Sequence, residues 1–420
     1  MESILIRSVL VLYPDSPWNG KKVDVLLERG KIKAIKDKGK IAHQGKTLSG
    51  KDQVLVPGFF DMHANFGEPG METKEDMQTG CQAALHGGFT GLALAPNTRP
   101  ALHSKAEIKY IRNLAKDQVP EVYPIGAISK DRAGKDLAEL YDMQQNGAVA
   151  FSDGNHAIQQ AELMSRSLLY CKGFGGLIIA YADDTSLSGN AKMNEGLTST
   201  LLGMKGMPSL SEEVMVARDL YLAEYNDAPI HFTTISTAGS VRLIKEAKKK
   251  GLQVTCDVAA HHLFLNETAL SGYDSLYKVK PPLRTEADRK ALIKGLKEGT
   301  IDAIVSQHTP HEQEYKQVEF EIAHFGMTGL QTAFSLACQC GLSLDMIVEK
   351  MAIRPREILK LPKGVFDTDA AADFILVNPD EIWIFEERIN QSKSKNSPFL
   401  NKEMKGKVNF LAHKNQYFSF

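Results

Sequence analysis

Several residue types and patterns are scarce in this chain, and each absence narrows what the protein can be. Five cysteines occur in 420 residues and none forms a CxxC pair, which indicates reduced, mostly buried thiols in a cytoplasmic protein. No apolar run approaches the roughly 18 residues that a transmembrane helix needs. The amino-terminal segment has no basic region ahead of an apolar one, so no secretory signal is expected. The net charge of -1 gives no indication of nucleic-acid or membrane binding.

What the chain does contain is a regular alternation of short β-rich runs with longer helical patterns. Near-continuous apolar strands that alternate with helices predict a parallel sheet covered on both faces. Eight such units predict a (β/α)8 barrel, an α/β fold whose active sites lie at the carboxyl ends of the strands. The predicted strands cover residues 54–63, 89–96, 121–129, 148–153, 175–183, 229–236, 252–261 and 301–308.

The two ends of the chain follow a different pattern. Strand-like runs at 4–12 and 23–28 are separated by turn signals, and similar runs return at 374–380 and 408–411. We therefore expect residues 1–53 and 365–420 to fold together into one small β-sandwich domain. Residues 54–364 would form the barrel.

Polar residues collect at the predicted strand ends, and the first strand shows this best. Its apolar run leads into Asp61, His63 and Asn65 and then into a Gly/Pro turn. Residues two apart on a strand share a face, so His63 and Asn65 should point the same way. A His-x-His pair there would form a metal site, but this chain has His-x-Asn. The other strand ends carry Asn97, Asp153, Asp183, Asp184, Thr234, His261, His262, Gln307 and His308.

Several stretches together resemble the dihydroorotases of the amidohydrolase superfamily, and the resemblance covers nearly the whole chain. They are PGFFDMHANFGEPG, GGFTGLALAPNTRP, AVAFSDG, ISTAGSVRLIKEAKKKGLQVTCDVAAHHLFL, KVKPPLRTEADRKALIKGLKEGTIDAIVSQHTPH, FGMTGLQTAF, DAAADFILVNPDE and SKSKNSPF. Any one of them alone would be weak. The resemblance implies a barrel of the metal-dependent hydrolase type with a β-sandwich built from both termini.

The resemblance also implies a reaction, the reversible hydrolysis of the ring amide of dihydroorotate to carbamoyl aspartate in pyrimidine biosynthesis. Bound zinc polarises the ring carbonyl and lowers the pKa of its water. A carboxylate at the end of the last strand acts as base.

The metal positions of the family are only partly kept. The first metal histidine matches His63, and the first aspartate of the S-D-D-G run matches Asp153, although the second falls on Gly154. The remaining imidazole positions fall on Asn65, Tyr181 and Thr234.

The base and substrate positions are also altered. The base aspartate falls on Gln307, the substrate-carboxylate arginine on Gly67, and the asparagine before the PPLR motif on Lys280. The asparagine of the PNT motif is kept as Asn97, and two histidines of the last motif remain as His308 and His311. Asn97 and His308 are the predicted substrate-binding residues.

These changes predict a degenerate site. One imidazole and one carboxylate are fewer than the three protein ligands of a catalytic zinc site. Gln307 cannot accept a proton near pH 7, and losing a general base alone costs on the order of 10²–10⁴ in rate. We therefore predict no catalytic residue, no cofactor, and His63 and Asp153 as remnants of a metal site.

Other residues that could act near the site have simpler interpretations. His231 lies an odd number of residues before Thr234, so we expect it to face the other way and pack against a helix. His63 is expected to bond to Asp153 or Asn65, and Asp61 to be a buried acceptor. Lys280 could pair with Asp153 or with an anionic ligand, or be solvated. His156 lies in a loop and could swing in, whereas the adjacent His261 and His262 suggest a structural role.

Three functions stay open at this point. The first is a non-catalytic homologue with a structural or regulatory role, a homodimer that partners aspartate carbamoyltransferase. The second is an active dihydroorotase or other cyclic amidohydrolase with a rebuilt zinc site. The third is a module that binds a pyrimidine-like or anionic metabolite at the barrel mouth without converting it.

Overall fold

A computed structural model describes residues 3–420. Its strands are, in chain order, β1 (Ile4–Val11), β2 (Lys22–Glu28), β3 (Lys31–Asp37), β4 (Lys46–Ser49), β5 (Val54–Pro57), β6 (Phe59–Ala64), β7 (Phe89–Leu94), β8 (Glu121–Pro124), β9 (Ile178–Tyr181), β10 (Met193–Asn194), β11 (Gly206–Met207), β12 (Ile230–Thr233), β13 (Val254–Ala259), β14 (Ala303–Val305), β15 (Phe374–Ile384), β16 (Glu403–His413) and β17 (Gln416–Ser419).

Its α-helices are α1 (Met77–His86), α2 (Lys105–Leu114), α3 (Leu140–Gln145), α4 (Ala161–Phe174), α5 (Thr185–Ser188), α6 (Leu197–Leu201), α7 (Leu210–Asn226), α8 (Ala238–Lys249), α9 (Ala260–Phe264), α10 (Glu286–Lys297), α11 (Gln313–Lys316), α12 (Ala333–Gln339), α13 (Leu344–Val348) and α14 (Arg354–Ile358). Short 3-10 turns cover Lys130–Arg132, Glu267–Leu270, Ser275–Tyr277 and Glu387–Ile389, and a π turn covers Glu349–Ile353.

The parallel strands form the predicted eight-membered barrel. One sheet runs β6-β7-β8 and another runs β9-β12-β13-β14. The segment around Phe151 pairs with Gly126 on one side and with Ile178 on the other, and a parallel bridge from Ala64 to His308 joins the last strand to the first. The strand predicted at 148–153 is therefore present as this short connecting segment. Because the pairings run right round, the carboxyl ends of all eight strands meet at one rim.

The two termini share one sheet, as predicted for the β-sandwich domain. Its order is β17-β16-β15-β5-β1-β2-β3, with β4 also pairing β1. Alternate residues of these strands enclose a core of their own that includes Ile6, Val25, Phe374 and Phe410. The sheet's other face packs on the barrel, since Ile375, Val408 and Leu411 belong to the core that the barrel helices share.

The strand predicted at 54–63 is in fact two strands. β5 pairs with β1 and β15 in the terminal sheet, whereas β6 pairs with β7 in the barrel. The chain changes sheets at Gly58, where a Cβ would lie 2.2 Å from the Thr90 hydroxyl oxygen, so the residue has to be glycine for the two strands to pass this closely. The domain limits at 53/54 and 364/365 stay a proposal, with Gly58 as the point where strand pairing changes.

Candidate functional site

Seven of the positions singled out in the sequence lie together at the barrel mouth. They line an inner cavity of about 260 Å³. These residues are His63, Asn65, Asn97, His156, Tyr181, Lys280 and Gln307. A wider outer cavity of about 950 Å³ adjoins it and shares Asn65, Asn97 and His156 with it. The concave, polar mouth that the strand ends predicted is therefore present.

His63 is held by a partner that the sequence did not indicate. Its Nδ1 lies 2.9 Å from the hydroxyl oxygen of Thr233, on the sixth barrel strand. The expected bond to Asp153 or Asn65 is wrong, because Asp153 is bonded to Ser129 and Asn65 to His308 and Thr309. Burial lowers the pKa of His63, while the nearby carboxylates of Asp257 and Asp61 oppose that shift.

The carboxylate of Asp153 is occupied by the neighbouring strand. One oxygen accepts the backbone N–H of Ser129 at 2.9 Å, and the other accepts the Ser129 hydroxyl. Asp61 does the same with the N–H and hydroxyl of Ser306, so its prediction as a buried acceptor is confirmed. Both carboxylates therefore join barrel strands, and burial raises the pKa of each.

The replaced positions bond to one another. The Gln307 side-chain amide donates to the Thr234 hydroxyl at 2.8 Å and to the Lys280 carbonyl at 3.1 Å. The ammonium of Lys280 lies 2.7 Å from a carboxylate oxygen of Asp183, so pairing with Asp153 is excluded in this structure. The three residues predicted to stand at the base, histidine and asparagine positions of the family thus form one connected set of contacts.

The side chain of Asn65 is also hydrogen-bonded to other residues of the rim. Its side-chain N–H groups donate to the His308 carbonyl at 2.9 Å and to the Thr309 hydroxyl at 3.0 Å, and its oxygen accepts from the Asn97 amide. The Asn97 side-chain oxygen is buried and has no partner among residues 3–420. It is packed against Gly154, where a Cβ would lie 1.9 Å from it.

His308 faces away from both cavities. Its Nε2 lies 3.2 Å from Glu75, and its Nδ1 accepts the backbone N–H of Gly329 at 3.2 Å. Glu75 is fully buried and also accepts from Ser392 and Lys393, so it links the barrel rim to the carboxyl-terminal segment. Substrate binding by Asn97 and His308 stays a prediction, and for His308 it would require breaking these bonds.

The residues present do not fit the zinc that the family implies. Within residues 3–420 there is no group of three or more His, Cys, Asp or Glu side chains placed to hold a metal ion. Burial raises the pKa of Tyr181 well above its usual value, so its phenol is neutral near pH 7 and a poor ligand. The remnants His63 and Asp153 are each engaged with a protein hydroxyl.

Of the other histidines, His231 is buried inside the barrel and His156 lies at its mouth. His231 does not pack against a helix as predicted. It lies 2.8 Å from Thr255 and 3.0 Å from Asp257 on the next strand, and it is fully buried. The strand ends at Thr233, so alternation counted back from Thr234 gave the wrong face. His156 lies at the mouth and lines both cavities.

His261 and His262 are buried side by side, with ring centroids 4.6 Å apart. The Nε2 of His262 lies 3.1 Å from the Pro281 carbonyl. Burial lowers the pKa of His262 to about 4 and that of His261 well below its usual value. Neutral, buried rings of this kind agree with the structural role expected for them.

A loop covers one side of the outer cavity and is held by two buried lysines that the sequence analysis missed. The ammonium of Lys278 donates to the carbonyls of Phe320, Glu321 and Ala323. That of Lys316 donates to the carbonyls of Lys278, His324 and Gly326. The carbonyl partners lie in an irregular loop, so no local pattern could have revealed them.

The outer cavity has a basic lining. Lys74, Arg99 and Lys192 line it, and their side chains have no hydrogen-bond or ion-pair partner in the described part of the chain. Burial lowers the pKa of Lys74, and the charge of Arg99 lowers it further, while Glu312 opposes the shift. The lining carboxylates are Asp131 and Glu321, and Asp131 lies 3.2 Å from His103.

No helix within residues 3–420 is both long enough and apolar enough to cross a membrane.

Comparison with known proteins gives one consistent result. A family model described as "Dihydro-orotase-like" matches residues 52–240. A protein of Geotalea daltonii named "Dihydroorotase" is 43% identical over 409 residues, which cover 96% of each chain. One of Acetivibrio thermocellus with the same name is 41% identical over 411 residues, again 96% of each.

Solved structures agree on the fold. The L-hydantoinase (dihydropyrimidinase) of Arthrobacter aurescens matches with a TM-score of 0.85 at 20% identity, over 100% of this chain and 96% of that one. The dihydropyrimidinase of Brevibacillus agri matches with a TM-score of 0.81 at 20% identity, over 99% and 94%. At such identities the likeness concerns the barrel and its β-sandwich domain alone.

Proposed function

Since this chain belongs to the dihydroorotase family, its site has to be judged against that family's chemistry, and we propose that it is a non-catalytic member. The observation that carries the proposal is the bonding of Gln307 to Thr234 and Lys280. A family base would have to accept a proton here, whereas the amide of Gln307 donates to both neighbours. At the strand ends, Gln307, Thr234, Lys280 and Asp183 are bonded to one another and not arranged around a metal ion.

The proposed role is structural or regulatory, in the cytoplasm and within pyrimidine biosynthesis. The replacements concentrate at ligand positions, while Asp61, Asp153 and Glu75 still join the strands and segments of the scaffold. An intact barrel whose catalytic positions are replaced suits a protein that acts by binding to another protein. Aspartate carbamoyltransferase is the partner that the family resemblance suggests.

Zinc analysis with a hydrolysis assay tests this proposal. We expect the purified full-length chain, incubated with zinc and desalted, to retain far less than one zinc per chain. Dihydroorotate hydrolysis should not exceed the uncatalysed rate, because neither a three-ligand site nor a base is present. The Geotalea daltonii relative, treated identically, is the positive control.

Stoichiometric zinc with ordinary turnover would overturn the proposal and favour an active amidohydrolase with an atypical site. The same preparation, mixed with aspartate carbamoyltransferase of the same organism, should co-elute with it in size-exclusion chromatography. If the two proteins elute separately at concentrations of tens of micromolar, the proposed partnership is wrong. The proposal that the site is inactive would not be affected by that result.

The outer cavity favours a second candidate function, and we propose it as the binding of an anionic metabolite without conversion. Three unpaired cationic side chains, Lys74, Arg99 and Lys192, face a cavity of about 950 Å³. A volume of this order accommodates a small metabolite.

Calorimetry with dihydroorotate and with carbamoyl aspartate tests this candidate. Binding should weaken at least tenfold in the double variant Lys74→Gln/Arg99→Gln and should weaken with added salt, because exposed charge interactions are screened. Lys109→Gln, at an exposed position of α2 outside the cavity, should leave the affinity unchanged. If neither compound binds at millimolar concentration, the candidate loses its support.

A further inference from the structure

The outer cavity is much larger than the inner one and differs from it in charge. Its volume is about 950 Å³, whereas the inner cavity at the strand ends has about 260 Å³. Pockets in the upper part of the usual range of volumes hold drug-sized molecules. Lys74, Arg99 and Lys192, which have no partner within residues 3–420, line the outer cavity and not the inner one. The outer cavity therefore has room and charge for an anion larger than dihydroorotate or carbamoyl aspartate.

The three cations occupy two separate places on the wall of the outer cavity. Burial lowers the pKa of Lys74 and the charge of Arg99 lowers it further, so these two side chains are neighbours. Burial also lowers the pKa of Lys278, and there the additional charge is that of Lys192. Lys192 therefore lies beside the loop that Lys278 holds, apart from the other two cations.

This arrangement suits an extended anion with several charged groups. Like charges such as those of Lys74 and Arg99 repel each other, and an anion bound between them removes that repulsion. A phosphate group offers more acceptor oxygens than a carboxylate and forms strong charge-assisted hydrogen bonds with lysine and arginine. A chain of phosphates is long enough to contact both cationic places, which a single small anion is not.

The loop over the outer cavity adds an apolar surface. Ile322 lines the cavity with 65% of its surface exposed, and Phe325 lines it from the same loop. The Lys278 ammonium lies 4.8 Å from the centroid of the Phe325 ring and donates to three loop carbonyls, which fixes the loop. Binding pockets combine apolar walls of this kind with a few placed polar groups. A flat apolar ring can therefore pack against the loop while its charged end reaches the cations.

Two carboxylates also line the outer cavity, those of Asp131 and Glu321. They would repel a ligand that consists of phosphate groups alone. Carboxylates accept hydrogen bonds from ribose hydroxyl groups in dinucleotide-binding folds. Cations, an apolar loop and carboxylates around one cavity together match a ligand that contains phosphates, a flat ring and a sugar.

We propose that the outer cavity binds a nucleoside triphosphate. The outer phosphates contact Lys74 and Arg99, the phosphate next to the sugar lies towards Lys192, and the base packs against Ile322. This assignment rests on the second candidate function, because it names the class of anionic metabolite that the cavity holds. The nucleotide is bound and no bond in it is broken.

Calorimetry on the full chain tests the proposed nucleotide site. We expect ATP and UTP to bind and their monophosphates to bind at least tenfold more weakly, because a monophosphate contacts only one of the two cationic places. Lys74→Gln/Arg99→Gln should weaken the binding of ATP at least tenfold. Lys109→Gln, at the exposed position of α2 outside the cavity, should leave it unchanged.

Inorganic tripolyphosphate separates a nucleotide site from general attraction of anions. It should bind at least tenfold more weakly than ATP, because it makes no contact with the apolar loop. Ile322→Asn should weaken the binding of ATP and leave that of tripolyphosphate unchanged, and folding should be preserved because the side chain is exposed. Equal affinities of the parent for ATP and tripolyphosphate would overturn the proposal.

The same titrations distinguish a wrong ligand class from a wrong candidate function. If dihydroorotate or carbamoyl aspartate binds while ATP and UTP do not at millimolar concentration, the cavity holds a small anion and the nucleotide site is wrong. If none of the four compounds binds, the candidate function fails as well. If ATP binds equally well to the double variant, the nucleotide lies elsewhere on the protein and the site is wrong.

Discussion

Replacing Gly67 by alanine should lower the free energy of unfolding by about 3 kcal/mol, and replacing it by arginine should lower it further. A Cβ at this position would lie 1.9 Å from the Met71 carbonyl oxygen and 2.8 Å from that of Glu75. The backbone of Gly67 is fixed there, because its N–H donates to Glu75 and its carbonyl accepts from Met71. The turn would have to open to admit any side chain.

This expectation bears on function, because the sequence resemblance predicts that Gly67 falls on the family position of the substrate-carboxylate arginine. An arginine introduced there would meet a closed turn, so it should not restore substrate binding. Thermal and denaturant unfolding of Gly67→Ala measures the cost. Gly272→Ala is the matched control, since a Cβ there has nothing within 4 Å. A Gly67→Ala variant as stable as the parent would show that the turn relaxes freely and that the position could regain its arginine.

Acid should destabilise the protein in the range between pH 6.5 and about pH 4. Burial lowers the pKa of His262 to about 4 and that of His311 to about 3. In the unfolded chain a histidine titrates near 6.5. Below that pH the unfolded state binds protons that the folded state does not, so stability falls as the pH falls.

The size of the acid destabilisation follows from the difference between the histidine pKa values of the folded and unfolded states. At pH 5 each buried imidazole should lower the free energy of unfolding by about 2 kcal/mol relative to pH 7. The reason is that pH 5 lies about 1.5 units below the unfolded-state pKa of 6.5, and each unit corresponds to ~1.36 kcal/mol. In His262→Gln, whose amide can still donate to the Pro281 carbonyl, the loss of stability between pH 7 and pH 5 should be about 2 kcal/mol smaller.

His324→Gln is the comparison for the acid experiment. His324 is exposed, although partial burial of its imidazole and then the charge of Lys74 still lower its pKa, so a smaller change is expected. Chemical denaturation at both pH values measures each variant. If His262→Gln kept the full acid loss of the parent, His262 would have to be protonated in the folded state.

Local patterns were enough to predict the barrel and the place of its site. Apolar strands alternating with helices indicate a covered parallel sheet, and strand ends of such a barrel meet at one rim. His63, Asn97 and Gln307 could therefore be placed together from the sequence. The prediction that the family's base is lost rests on Gln307 itself, because the inability of an amide to take up a proton near pH 7 belongs to the residue type.

The bonding partners of these residues depended on the tertiary structure. His63 meets Thr233, which is 170 residues away, and Glu75 meets Ser392, which is 317 residues away. Such pairs depend on strand register and on shifts like the one after Asp61, which no local pattern encodes. For the same reason His231 was assigned to the wrong face, since the alternation was extended past the end of its strand at Thr233.

The sequence by itself thus determined the family, the architecture and the chemical groups available at the mouth, because these follow from residue type and periodicity. Only the tertiary structure decided how those groups are used: Asp153 joins two strands, Lys280 pairs with Asp183, and Gly67 closes a turn. The physical reason is that a polar side chain in a closed barrel bonds to whatever the neighbouring and facing strands present. That is set by the geometry of the whole ring and not by its own neighbours in the chain.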